Sequence, residues 1–154
     1  VRYCANKTIC YYSERSLNDT DVVNFVNSFK VQFPTAQILT IQDSDSLATK
    51  CLECEIYEYS KADILIGLHG AGITNLIFMK PGSIVMEITS NFDARNMPYC
   101  GFNGPLSTVF GVHHYAYYTD LVGNVELDFN DLASEAKLFH KHVSKFSLAN
   151  PLLL

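Results

Sequence analysis

Five consecutive residues, Ile64-Leu65-Ile66-Gly67-Leu68, run without a polar interruption into His69-Gly70-Ala71-Gly72. A strand with one face in water alternates apolar and polar side chains, whereas a run apolar at every position is buried on both faces and belongs in the middle of a parallel sheet. Parallel strands need crossover connections, usually helices, so this one segment commits the chain to an α/β architecture. The flanking sequence fits it. Thr8 to Ser13 (TICYYS), Gln37 to Gln42 (QILTIQ), Ile84 to Ile88 (IVMEI) and His114 to Tyr118 (HYAYY) read as four further strands. Between the first two, Val22, Val23, Phe25, Val26, Phe29 and Phe33 fall on one helical face, opened by Asn18 and Asp21 in a capping-box-like start and stopped by Pro34.

Ser44 to Ser60, with Leu47, Cys51, Cys54 and Ile56, reads as a second helix, and Ile73 to Met79 as a short one ending before Pro81-Gly82. Asn130 to Val143 carries Leu132, Ala136, Phe139 and Val143 on one face and reads as a closing helix. From Phe92 to Phe110 the residues Pro98, Gly101, Gly104 and Pro105 are expected to fragment any helix, and the Leu152–Leu154 tail is expected to fray. The expectation is an α/β, Rossmann-like, doubly wound and mostly parallel sheet, forming one lobe over residues 1–154 with no internal repeat or linker.

Charge and cysteine content narrow the function classes. Eleven basic against sixteen acidic residues give a net charge of −5, and the three arginines, Arg2, Arg15 and Arg95, are scattered; nucleic-acid binding needs a clustered basic face, so no nucleic-acid partner is expected. No apolar run approaches the roughly 20 residues of a membrane span. The chain begins at Val1, and the expectation is a fragment whose address label or membrane anchor lies upstream. Five cysteines are odd in number and too few for a disulfide scaffold, and Cys51-x-x-Cys54 sits in a helical stretch without a second pair at zinc spacing. His113 and His114 point to opposite faces of a strand, and His140 and His142 are about 200° apart on a helix, so no metal site is expected. Asn6 and Asn18 each head an N-x-T acceptor, which is compatible with a secretory lumen.

In an open parallel sheet, ligands bind beyond the carboxyl ends of the strands. That rule nominates the loops Glu14 to Asn18, Asp43 to Ser46, His69 to Thr74 and Thr89 to Arg95. The strand-to-helix turn His69-Gly70-Ala71-Gly72 brings backbone N–H groups and a helix dipole to an anion without side-chain bulk, which suits a phosphate. Arg15, just after the first strand, can reach the same crevice, and Glu87, near the end of its strand, is an acceptor suited to a ribose diol. The same residues also admit purely structural roles: glycines for close helix packing, His69 hydrogen-bonded at the sheet end, Glu87 held by a backbone cap, Arg15 solvated.

Ala62 to Ile88, ADILIGLHGAGITNLIFMKPGSIVMEI, resembles the signature of glycosyltransferase family 61: Ala-Asp, an apolar strand, Gly-x-His-Gly-Ala-Gly, a Thr/Asn-Leu-x-Phe helix, Pro-Gly and a strand ending in Glu. Arg15-Ser16-Leu17-Asn18-Asp19 resembles the family's Arg-x-Leu-Asn-Glu, and Gly111-Val112-His113-His114-Tyr115 its Gly-x-His-Tyr segment. The resemblance implies an inverting, metal-independent transferase of the GT-B type, with this chain as the C-terminal lobe and an N-terminal acceptor lobe as its missing partner. The donor would be a UDP-sugar of the N-acetylglucosamine or xylose class, the acceptor a glycan or protein, the cofactor none, and the compartment the endoplasmic reticulum or Golgi lumen. By the same carry-over Arg15, His69, Gly70, Ala71, Gly72, Ile73 and Asn75 would hold the donor phosphates, and Glu87 would contact the nucleoside. The resemblance leaves the catalytic base open; His69, Asp43 and Asp45 are the candidates, the two aspartates for their place after the second strand.

Three other readings compete. A hydrolase could use an HGxG turn as an oxyanion hole, but no G-x-S-x-G nucleophile occurs, and Ser83 sits at the start of a strand. A Rossmann oxidoreductase would want Gly-x-Gly-x-x-Gly after the first strand, where Ser13 to Asn18 has no glycine. The third is a nucleotide-binding or interaction lobe that does not turn over by itself.

Overall fold

The computed structural model describes residues 8–13, 19–42, 52–90, 100–119 and 127–149. In chain order these form β1 (Thr8–Ser13), α1 (Asp19–Gln32), β2 (Gln37–Gln42), α2 (Leu52–Lys61), β3 (Ile64–Leu68), the 3₁₀ helix α3 (Ala71–Phe78), β4 (Ile84–Ser90), α4 (Cys100–Val109), β5 (His113–Thr119) and α5 (Phe129–Ala149). The strands make one sheet in the order β2-β1-β3-β4-β5, and all four pairings are parallel. The apolar strand β3 is central, as its composition requires. This order is one of the two common doubly wound arrangements, whose topological switch point falls between β1 and β3.

Side-chain parity divides the sheet into two faces. On one, Ile64, Ile66, Ile84, Met86 and Ile88 pack against Phe25 and Phe29 of α1, Phe33 just past its end, and Phe129, Leu132, Ala133, Ala136 and Val143 of α5. The phenylalanines are spaced by four residues, so they stand in one row: Phe25 and Phe29 have ring centroids 4.4 Å apart, Phe29 and Phe33 6.3 Å apart, and Phe129 meets Phe25 edge-on at 5.9 Å. Each such buried side chain contributes about 1.5–3 kcal/mol. Helix α5 is capped by Asp128, whose Oδ1 accepts from the N–H groups of Asn130 at 2.9 Å and Asp131 at 3.1 Å. It is tied to α1 by Ser28 Oγ donating to Asn130 Oδ1 at 2.8 Å.

On the other face, Leu65 and Val85 pack against Tyr59 of α2, Ile73 and Leu76 of α3, and the flanking Ala62, Met79 and Val112. Here the structure refines two expectations. The short helix after the glycine turn is 3₁₀, begins at Ala71 and is eight residues long. Ile73 and Leu76 of this helix and Met79 just past its end are buried and recur every third position, and a helix of three residues per turn stacks them into one ridge on the sheet.

The segment expected to be broken by glycine and proline contains a ten-residue helix, α4, with Pro105 inside it. Pro105 removes one helix hydrogen bond. The buried face of α4 is instead held by Asn103 and Ser107, one turn apart and each 2% exposed, with Ser107 Oγ donating to the Gly104 carbonyl at 2.6 Å. The closing helix is longer than its apolar pattern implied, and β4 and β5 extend beyond their expected ends to Ser90 and Thr119. The Asn18 cap, the start of the second helix at Ser44 and the Leu152–Leu154 tail lie outside the described residues.

Behind the sheet's amino ends, Gly82 N–H donates to the Gly111 carbonyl at 2.7 Å. Gly111 has φ 67°, and a Cβ there would lie 3.3 Å from Pro81 Cβ. Gly111→Ala is therefore expected to destabilise the fold by about 1–2 kcal/mol, the cost of left-handed backbone for a residue with a Cβ. The urea midpoint should fall with its slope unchanged; an unchanged midpoint would show that the turn relaxes.

Candidate functional site

The site is built where β3 ends. His69 continues the chain one residue past the strand, its N–H donating to the Ile88 carbonyl of β4 at 2.8 Å. Gly70 then stretches to φ 159° and ψ −179°, and α3 starts at Ala71. A helix start presents backbone N–H groups and the positive end of its dipole. Here it stands at the carboxyl end of the central strand, beside the switch point between β1 and β3. Arg15, Asp43 and Asp45 lie outside the described residues.

Parity places Gly67 and the side chain of His69 on the face that carries Glu87. In the sheet register Glu87 is flanked by Gly67 on β3 and Ala116 on β5, so neither neighbouring strand sets bulk beside its carboxylate. Three donors from three elements fill that space. His69 Nδ1 lies 2.5 Å from Glu87 Oε1, Asn103 Nδ2 of α4 donates to the same oxygen at 2.7 Å, and His114 Nε2 of β5 lies 2.7 Å from Oε2.

Exposure rises along the chain of contacts: the side chains of Glu87, His114 and His69 are 1%, 12% and 33% exposed. Burial pushes the Glu87 carboxyl up, but the hydrogen bonds from His114, His69 and Asn103 and the field of His114 outweigh it and hold the group below the usual carboxylate range. An ionised carboxylate only accepts, so each ring nitrogen facing it carries its hydrogen. Neutral His69 then has its lone pair on Nε2. That arrangement, a histidine whose one nitrogen is fixed by a buried carboxylate, suits an imidazole that takes or gives a proton at the other.

The expected site residues therefore separate. His69 and Glu87, 18 positions apart, are in contact, and Gly70, Ala71 and Gly72 form the strand-to-helix turn beside them. Ile73 has a fully buried side chain in the core, and its N–H donates to the Gly70 carbonyl at 3.3 Å; only its backbone is near the turn. Asn75 is half-buried on α3. The ribose role expected of Glu87 meets a carboxylate that is almost fully buried and already holds three donors.

Sequence reasoning missed Asn103 and His114. His114 had a visible signal, since it lies in the Gly111–Tyr115 segment and faces the opposite way from His113; Asn103 had none. Among the described residues no group of three or more His, Cys, Asp or Glu is arranged to hold a metal ion. Ser83, the serine weighed as a hydrolase nucleophile, is 2% exposed and donates to the Ala62 carbonyl at 3.0 Å. Cys54 is disulfide-bonded, a covalent link that the count of five cysteines did not foretell.

The sequence model of the family described as Glycosyltransferase 61 matches residues 9–86, from β1 to β4. No curated protein matches the chain.

Proposed function

Since the chain belongs to glycosyltransferase family 61, we propose that it serves transfer of a sugar from a UDP-sugar to a hydroxyl of a protein or glycan acceptor, with inversion and without a metal ion. The chain supplies the donor-binding lobe of a GT-B type enzyme, partnered by an N-terminal lobe that carries acceptor contacts. The observation that carries this reading is His69, backed by Glu87 at 2.5 Å, at the start of α3 beside the switch point.

In the transfer the acceptor oxygen attacks the anomeric carbon and gives its proton to His69 Nε2, while the bond from that carbon to UDP breaks. Asp43 and Asp45 are the alternative bases. The negative charge that develops on the diphosphate is met by the N–H groups of Gly70, Ala71 and Gly72, the side chain of Asn75 and the guanidinium of Arg15. Preorganised donors of this kind do the work that a cation would otherwise do. Operation in the lumen of the endoplasmic reticulum or Golgi is supported by the disulfide of Cys54, a bond that persists in oxidising compartments. Among the described residues no helix is long and apolar enough to cross a membrane.

Calorimetric titration with UDP tests the donor site. Binding is expected to be saturable and unchanged by EDTA. Arg15→Ala should weaken UDP by about 1.5–3 kcal/mol, the scale of a hydrogen bond to a charged group, and uridine hardly at all. Equal losses for both ligands would remove Arg15 from the phosphate site, and binding abolished by EDTA would overturn metal independence.

A further inference from the structure

The Glu87 carboxylate does more than accept from His69. The terminal torsion of a glutamate is broad, so a carboxylate held by a single donor can swing its oxygens away from it. Glu87 is held at both. Asn103 and His69 share Oε1, and His114 occupies Oε2. Because the three donors come from α4, the end of β3 and β5, the plane of the carboxylate is fixed from three directions.

His114 is itself seated. A Cβ on Gly104 would lie 4.0 Å from His114 Nδ1, so the backbone of α4 passes close to its ring. His69 is the most exposed of the group.

From this we infer that Asn103 and His114 are positioning residues for His69: acting through the shared Glu87 carboxylate, they fix the ring of His69 in the tautomer with hydrogen on Nδ1 and the lone pair on Nε2. The meaning of that tautomer for sugar transfer rests on the donor-site reading above, but the tautomer itself does not. Outer-shell partners that orient a histidine through its second nitrogen act in the same way at metal centres, where a carboxylate behind the ring sets which nitrogen faces the ligand.

The test is nitrogen NMR of the histidine rings at a pH where His69 is neutral, with its signals assigned by comparison with His69→Gln. The wild-type protein should show His69 in the Nδ1–H form. His114→Ala and Asn103→Ala should each relax it toward a mixture of the two tautomers, and His114→Gln, whose amide keeps a donor at similar reach, should restore the single form. A merely structural role would lower stability without moving the tautomer. An Nε2–H form in the wild type overturns the inference, and so does an Nδ1–H form that survives both alanine substitutions. If the alanine variants do not fold, Asn103→Leu and His114→Phe, which remove the donor and keep the bulk, decide: relaxation of the tautomer in either upholds the inference, and an Nδ1–H form that survives both overturns it. UDP titration on the same samples separates the two claims, since a wild type that shows the expected tautomer but binds no UDP overturns the donor site and leaves the positioning intact.

Discussion

Glu87→Ala is expected to lower the stability of the fold by about 3–5 kcal/mol, the usual cost of removing one partner from a buried charged network. The substitution strips the acceptor from Asn103 and from both histidines. Glu87→Gln keeps the shape and should cost less, and comparing it with the wild type across pH isolates the charge. The folded carboxyl lies below its ordinary range, and in the unfolded chain a glutamate titrates at about 4.3. The contribution of the ionised group is thus fully present above the unfolded value and is lost as pH falls through the folded one. Urea melts should therefore show a gap between wild type and Glu87→Gln that is widest near neutrality and narrows below about pH 4. A gap independent of pH would mean that the carboxylate is not the charged centre of the cluster.

Phe29→Ala should be as damaging for a different reason. Phe29 is fully buried between Phe25 and Phe33, and truncating such a ring costs about 3–5 kcal/mol in lost burial and residual cavity. Its row lies on the face covered by α1 and α5, whereas Glu87, Asn103 and His114 lie on the face covered by α3 and α4. The thermal midpoint should fall steeply while UDP affinity, measured well below that midpoint, stays unchanged. A parallel loss of affinity would show that the two faces of the sheet are mechanically coupled.

Where burial is apolar, the sequence was easy to read. Ile64 to Leu68 declares a central parallel strand by having no polar position, and the phenylalanines of α1 declare a helix by recurring every fourth residue. The period of three in Ile73, Leu76 and Met79 was equally present, and separates a 3₁₀ helix from an α-helix once it is noticed. Helix α4 was hidden because Asn103 and Ser107 are its most buried described residues, with Leu106 only partly buried against the core, while Gly101, Gly104 and Pro105 argue against a helix locally; packing against β5 and α3 overrides them. The site was half legible for a related reason. A glycine turn after a buried strand is a local signal, so His69 to Gly72 stood out. The meeting of His69, Glu87, Asn103 and His114 is not local: it depends on the register of three strands and on the helix laid over them, and no spacing in the chain encodes it.

The pairing of α1 with α5 also sets a timetable. Ser28 and Asn130, which join the two helices, are 102 residues apart, and the row of phenylalanines on α1 is completed edge-on by Phe129. During synthesis at about 5–20 residues per second, α1 leaves the ribosome roughly 5–20 s before the helix that covers it. Through that interval the aromatic row has no α5 to close over it. The nascent chain must therefore be shielded, by a chaperone or by transient contacts of its own, until α5 is made.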